Sequence, residues 1–313
     1  MRILVVGAGA TGGYLGIRLA AAGRDVTFLV REGRKAKIRA AGLKIRSPLG
    51  DAAITPNLVT AGEIEAPFDL IILAVKAYQL DGALNDMRAA VGPKTMILPV
   101  LNGMSHMDRI ARQFSSENLL GCILIVATTI GADGEIEQLQ PRQEFAYGEM
   151  DGSLSERAKA VDRLMQGTGI GARLSSDIAR EMWEKWTFLA SLGGLTCLMR
   201  GKIGQIASTP TGKNLARAFL GEVAAIIKTV GRSPSPEFLS AIEKQLTDER
   251  SSLASSLFRD LSGGHPVEVE AIIGDLYRRG EGAGLKSPLL QAAYTHLRLY
   301  EDTVEQARAS SAP

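Results

Sequence analysis

Six residues near the start of the chain have the types and spacing to hold a pyrophosphate: Gly7-Ala8-Gly9-Ala10-Thr11-Gly12. They follow a short apolar run, Ile3-Leu4-Val5-Val6, and open an amphipathic run that ends at Gly23. Between a strand and a helix, Gly7 permits the tight turn, Gly9 lets the backbone approach the phosphates, and Gly12 lets the two elements pack closely. The helix N-terminus adds free N–H groups and a partial positive charge for the anion. The hexamer therefore predicts a dinucleotide site. A second strand, Val26-Thr27-Phe28-Leu29-Val30, ends at Arg31, with Arg34 and Lys35 within one turn. A site for NAD usually ends that strand in Asp or Glu, which accepts from the ribose 2′-OH. A cationic fork suits a 2′-phosphate and gains little from a hydroxyl, so these residues favour NADPH. Glu32 stands against that reading, either partly neutralising Arg31 or serving as a displaced reader of NAD.

Such groups need a frame. Residues 1–150 alternate strand and helix patterns, as in a doubly wound parallel sheet. Buried strands are predicted over 68–75, running into Lys76, over 95–100, ending at Asn102-Gly103, and over 119–129. Two late antiparallel strands are expected over 134–139 and 144–148. Ligands of open α/β sheets bind at the carboxyl ends of the strands, where Lys76 and Asn102 stand. Beyond about residue 175 the pattern is helical. Asp177 suits the N-cap of a helix over 178–192, which Gly193-Gly194 should interrupt, since two glycines cost a helix about 2 kcal/mol relative to alanine. Further helices are predicted over 212–230, 236–260, 267–281 and 288–306, and residues 307–313 read as a frayed tail. The fold class is thus α/β. A Rossmann-type NADP-binding domain is expected over 1–174, an all-helical substrate and dimerisation domain over 175–313, and the active site in the cleft between them.

Composition excludes other classes. The 313 residues are 45% hydrophobic and 22% charged, ordinary for a globular protein. A net charge of +2 gives no nucleic-acid surface. Cys122 and Cys197 lie in apolar stretches and read as buried thiols in a reducing cytosol, while His106, His265 and His296 are scattered, so no metal site is expected. The strand–loop–helix reading accounts for the N-terminus better than a signal peptide does. The apolar run 119–127 is too short to span a bilayer, so a cytoplasmic protein with no membrane or nucleic-acid partner is expected.

Together these landmarks resemble the ketopantoate reductase (2-dehydropantoate 2-reductase) family over nearly the whole chain. The carriers are the glycine hexamer, Val75-Lys76-Ala77-Tyr78-Gln79, Leu101-Asn102-Gly103-Met104, Met182-Trp183-Glu184-Lys185-Trp186 and Val267-Glu268-Val269-Glu270. Members use NADPH to reduce a 2-oxo acid to the 2-hydroxy acid. The resemblance implies that Arg31 and Lys76 bind the 2′-phosphate end of NADPH with Gln79 nearby, and that Asn102 lies by the nicotinamide ribose and the substrate. It makes Lys185 the general acid, puts Ser256 on the substrate carboxylate, and has Glu268 pair with or orient Lys185. Hydride transfer to a ketone builds negative charge on oxygen, and a positioned ammonium lowers that barrier as cation and proton donor. Trp183 and Trp186 read as packing residues at the domain junction, and His106 as a loop residue.

One departure bears on the substrate. The family helix carries asparagines four and eight residues after the lysine, the second followed by proline; here those positions are Leu189, Gly193 and Gly194. Residues spaced by four share a helix face, so amides that would meet a polar substrate are missing. Either Thr196, Ser191 or water takes over, or the pocket prefers a less polar acid. The expected function is NADPH-dependent reduction of a 2-oxo acid, 2-dehydropantoate first, in pantothenate biosynthesis. A different 2-oxo acid, a non-catalytic NADP(H)-binding redox sensor, and a dehydrogenase of an amine or 3-hydroxy acid are the alternatives, and a homodimer is compatible with an apolar helical domain.

Overall fold

The computed structural model describes residues 1–310. The chain divides into two compact units, Met1–Leu101 with His106–Ala179, and Asn102–Ser105 with the chain from Arg180 onward. The division falls five residues past the expected boundary, and the short Asn102–Ser105 segment belongs with the helical unit.

The first unit holds β1 (Arg2–Val6), α1 (Ala10–Ala21), β2 (Asp25–Leu29), α2 (Glu32–Ala41), β3 (Leu43–Arg46), β4 (Ala52–Ile54), β5 (Asn57–Val59), β6 (Leu70–Leu73), α3 (Leu80–Asp86), β7 (Met96–Pro99) and α4 (Ser105–Gln113). It continues with β8 (Gly121–Ile130), β9 (Ile136–Gly148), α5 (Glu156–Met165) and β10 (Ala172–Leu174). Five strands form a parallel sheet in the order β5-β2-β1-β6-β7. Chain order reverses at β1, so the switch point lies between β1 and β6, where the glycine loop leaves the sheet. Ile3–Val6 and all of β6 are buried, which explains their continuous rather than alternating apolar runs.

A second, mixed sheet follows the order β10-β9-β3-β4, with β8 antiparallel to β9. The two late strands expected over 134–139 and 144–148 are one strand. Its paired stretches flank a register shift opposite Val126 and Thr128, and the exposed residues between them include Pro141. Proline has no N–H to give the ladder, so it sits where the pairing is interrupted. His106, expected in a loop, lies in the first turn of α4 and is only 2% exposed.

The second unit is helical: α6 (Ile178–Met199), α7 (Ile203–Ala207), α8 (Gly212–Val230), α9 (Pro236–Leu246), α10 (Ser256–Ser262), a π turn (Glu270–Gly274), α11 (Asp275–Gly282) and α12 (Pro288–Ser310). The expected break at Gly193-Gly194 does not occur. A β-carbon on Gly193 would lie 2.8 Å from Leu257 Cδ1, and one on Gly194 2.7 Å from Phe219 Cε1 and nearer still to Cζ. The glycines allow close packing of α10 and α8 against an unbroken helix. Termination comes instead at Arg200, which is left-handed (φ 53), with Gly201 N–H donating to the Thr196 carbonyl at 3.2 Å.

The helix expected over 236–260 is two helices. Between them Asp248 Oδ1 accepts from Arg250 N–H at 3.0 Å, a side-chain turn that competes with helix, and Ser255 caps α10 through Phe258 N–H at 2.9 Å. The expected tail residues 307–310 continue α12, while Ser311–Pro313 lie outside the described residues. Among the described residues no helix is long and apolar enough to cross a membrane.

Candidate active site

The glycine loop has the geometry that a pyrophosphate needs. Gly7 has φ +98, and a β-carbon there would lie 2.7 Å from the Ala74 carbonyl oxygen. Gly12 backs onto the Gly7 carbonyl so closely that a β-carbon would overlap it. At Gly9, by contrast, a β-carbon would meet nothing within 4 Å, so its backbone faces open space. It is also the N-cap of α1, a helix of 12 residues with no side-chain cap and no acid in its first turn. Ala8, Ala10 and Thr11 complete the loop. An uncapped helix end beneath an open glycine fits the diphosphate of a dinucleotide.

The cations after β2 divide. Arg31 is exposed, and its Nη2 lies 3.8 Å from where a Gly82 β-carbon would stand, which places it beside the start of α3. That helix follows the turn Ala77–Gln79, where Gln79 Oε1 accepts from Lys76 N–H at 3.4 Å. Arg31 and the turn that carries Lys76 and Gln79 therefore both lie beside the start of α3. Arg34 Nη2 reaches the Ala8 carbonyl at 3.4 Å, tying α2 to the glycine loop. Lys35 departs from the expected fork: its side chain is 4% exposed and pairs with Glu63. That hydrogen bond, with those from Thr60, holds the Glu63 carboxyl down at about 2. Glu32 is exposed in the first turn of α2, where an acid favours the helix dipole.

In the second unit three chemistry-bearing segments converge on the π turn. Lys185 is half-buried on α6, and the next residue, Trp186, donates its indole N–H to the Ile272 carbonyl at 2.9 Å. Glu268 is half-buried just before the turn, its carbonyl accepting from Ile272 N–H at 3.3 Å. Asn102 belongs to the segment whose Gly103 (φ +77) lies on Ala271; a β-carbon there would overlap the Ala271 carbonyl oxygen, 3.0 Å from its carbon. Ser256 starts α10 and is exposed. Its neighbours fix it on α6, Ser255 Oγ meeting Thr196 Oγ1 at 2.8 Å and Leu257 lying over Gly193. These contacts stand two to three turns along α6 from Lys185.

Residues 3–152 match the family profile of ketopantoate reductase PanE/ApbA, and residues 177–301 match that of its C-terminal part. The chain belongs to the ketopantoate reductase family. An uncharacterized oxidoreductase, YkpB, of Bacillus subtilis is 32% identical over 301 residues, covering 96% of this chain and 99% of its own. The 2-dehydropantoate 2-reductase of Mesorhizobium japonicum is 26% identical, covering 95% of this chain and 97% of its own. The crystal structure of 2-dehydropantoate 2-reductase from Geobacter metallireducens superposes with a TM-score of 0.84 at 26% identity, covering 96% of this chain and 99% of that one. As a member of this family the chain is an oxidoreductase acting on CH–OH groups and using a nicotinamide cofactor, in an α/β fold with a helical C-terminal region.

Neither hydroxyl weighed above as a substitute for the asparagines that the resemblance implies is exposed. Thr196 is fully buried and donates to the Leu192 carbonyl at 2.6 Å, and Ser191 is fully buried as well. Leu189 stays half-buried, and Leu257 occupies the space over Gly193. The face of α6 that carries Lys185 is therefore apolar in its next two turns. Three features were not read from sequence: the Arg34–Ala8 contact, the capture of Lys35 by Glu63, and the bond from Trp186. The first needed the approach of α2 to the glycine loop, and the second the approach of α2 to the turn after β5. The third had a signal, since an indole N–H in a buried helix needs an acceptor.

Proposed function

We propose that this chain catalyses NADPH-dependent reduction of a 2-oxo acid to the 2-hydroxy acid. The observation that carries the reading is the convergence of the Asn102, Lys185 and Glu268 segments on the π turn. When bound, the cofactor supplies the hydride. Lys185 donates its proton to the carbonyl oxygen as negative charge builds there. Glu268 holds the ammonium in place and keeps it protonated. Asn102 orients the carbonyl end of the substrate, and Ser256 binds its carboxylate. Arg31 and Lys76, with Gln79, take the 2′-phosphate. The full-length similarity to 2-dehydropantoate 2-reductases supports 2-dehydropantoate as substrate, and with it a cytoplasmic step of pantothenate biosynthesis.

A second reading is favoured by one specific observation. Leu189 and Leu257 line the α6 face where polar partners would be needed. Burying an unpaired hydroxyl against them costs about 1–3 kcal/mol, so a 2-oxo acid with an apolar tail is the alternative substrate. The test is NADPH oxidation, followed by absorbance, with 2-dehydropantoate beside pyruvate, 2-oxobutyrate, 2-oxoisovalerate and larger 2-oxo acids. Turnover of 2-dehydropantoate supports the first reading, and turnover of only an apolar acid the second. Lys185→Ala should lower turnover at least 10³-fold, roughly the value of a positioned acid, and leave NADPH binding intact. No turnover by the parent with NADPH still bound would overturn both and return the weight to a non-catalytic NADP(H)-binding protein.

A further inference from the structure

We infer that Trp186 is a positioning residue: its indole N–H holds the π turn Glu270–Gly274 in register and so sets Glu268 and Asn102 relative to Lys185. A π turn carries one residue more than an α turn and is stable only where its surroundings enforce it. Here the turn is real by its bonding, since Asp275 N–H reaches the Glu270 carbonyl. Its enforcement comes from both sides. On one side the Trp186 bond to Ile272 is 2.9 Å long and the indole is 1% exposed. Trp183 packs against the ring with its centroid 5.4 Å away, and the Arg279 guanidinium stands 5.8 Å from the ring's centroid. Arg279 is itself held by Asp275 at 3.1 Å, at the start of α11.

On the other side Glu270 accepts from Tyr294 at 2.7 Å and from Arg278 at 2.7 Å. A β-carbon on Gly274 would lie 2.7 Å from Glu270 Oε2 and 2.8 Å from Tyr294 Cε2, so glycine at that position makes the pairing possible. Burial raises the Glu270 carboxyl, but Tyr294, Arg278 and Arg298 outweigh it and hold it below its ordinary value.

The consequence is a shared mount. Lys185 is the residue before Trp186, Glu268 lies one turn before Ile272, and Gly103 rests on the adjacent Ala271 carbonyl. If the indole bond is lost, the turn can relax to α register. That shift rotates Glu268 about the helix axis and removes the seat of Gly103, while α6 with Lys185 stays in place.

The catalytic part of this inference rests on the reductase reading; the structural part does not. Two measurements test it. In the unmodified protein, labelled at tryptophan, the Trp186 indole proton should exchange with solvent at the rate of the amides of 272–275, because one opening releases all of them. Independent exchange would overturn the inference. In Trp186→Phe, which keeps a ring and removes the donor, amides of 268–275 and 102–104 should lose protection while those of α6 keep theirs. With a 2-oxo acid that the parent reduces, kcat should fall roughly tenfold, the scale of one buried hydrogen bond, with the KM for NADPH within about twofold. Trp183→Phe removes an indole from the same stack without touching Ile272 and should leave exchange in 268–275 unchanged. Equal local loss in Trp183→Phe, or loss of protection across the whole second unit in Trp186→Phe, would show packing rather than positioning and overturn the inference. Should the parent reduce no acid in the panel, the functional reading fails, and exchange alone decides the role of Trp186.

Discussion

The continuity of α6 through Gly193-Gly194 yields a stability prediction with opposing terms. In a helix interior, alanine in place of glycine gains about 1 kcal/mol from propensity alone. At Gly194 the added β-carbon would stand 2.7 Å from Phe219 Cε1 and nearer to Cζ. Phe219 is fully buried, and its ring is a rigid plate in a close-packed interior. Overpacking of this depth belongs at the upper end of the usual 1–3 kcal/mol, so the net loss is about 2 kcal/mol. At about 2–4 °C per kcal/mol, Tm should fall by about 4–8 °C. At Gly193 the nearest atom is Leu257 Cδ1 at 2.8 Å, the end of a side chain that can turn. There the gain and cost are both about 1 kcal/mol, and Tm should stay within about 2 °C of the parent. Both variants are to be compared by calorimetry at one pH. A higher Tm for Gly194→Ala would refute the packing argument. Equal losses at the two positions would instead restore a helix that ends at the glycine pair.

Two further predictions concern the first unit. Arg31→Ala should weaken NADPH at least tenfold more than NADH, since a charge-assisted contact to phosphate is worth about 1.5–3 kcal/mol and a ribose hydroxyl offers nothing comparable; equal losses in the two binding titrations would remove the 2′-phosphate role. The Lys35–Glu63 pair should make stability depend on acid pH. Because the folded Glu63 carboxyl is depressed from 4.5 to about 2, its contribution is present above pH 4.5 and is lost as the pH falls towards about 2. The Tm gap between parent and Glu63→Gln should therefore be widest above pH 4.5 and close towards pH 2, and a gap independent of pH would contradict the pairing.

Much of this protein is legible from local pattern. The glycine hexamer, the continuous apolar strands and the change to helix near residue 175 each follow from short-range rules, and β1, β2, β6 and β7 form where those rules imply, whereas β3, β4, β5 and β10 are not among the strands expected. What escaped was decided by partners distant in sequence. Propensity counts Gly193-Gly194 as a break, but it cannot see Leu257 and Phe219, which make glycine the residue that fits. Two short strands became one because β8 supplies a continuous edge on both sides of Pro141. Lys35 read as a phosphate ligand because Glu63, which takes it, lies 28 residues further on. His106 read as loop, although the same unit buries it in α4.

The second unit separates two jobs that one site must do. Trp186, Gly103, Gly274 and the Glu270 pairings fix the π turn, and none of them lies on the α6 face that continues from Lys185 through Leu189. On the proposed function, substitutions on that face would change what lies beside the substrate's tail and leave the mount of Lys185 and Glu268 untouched. Substitutions in the mount would do the reverse. On the same reading, Leu189 and Gly193 in place of the asparagines that the resemblance implies would be a change the enzyme absorbs without losing Lys185 as its proposed proton donor. The apolar face and the retained lysine are then consistent features of one enzyme, and Leu189→Asn should alter the preference among 2-oxo acids while kcat for the best of them stays within about tenfold of the parent.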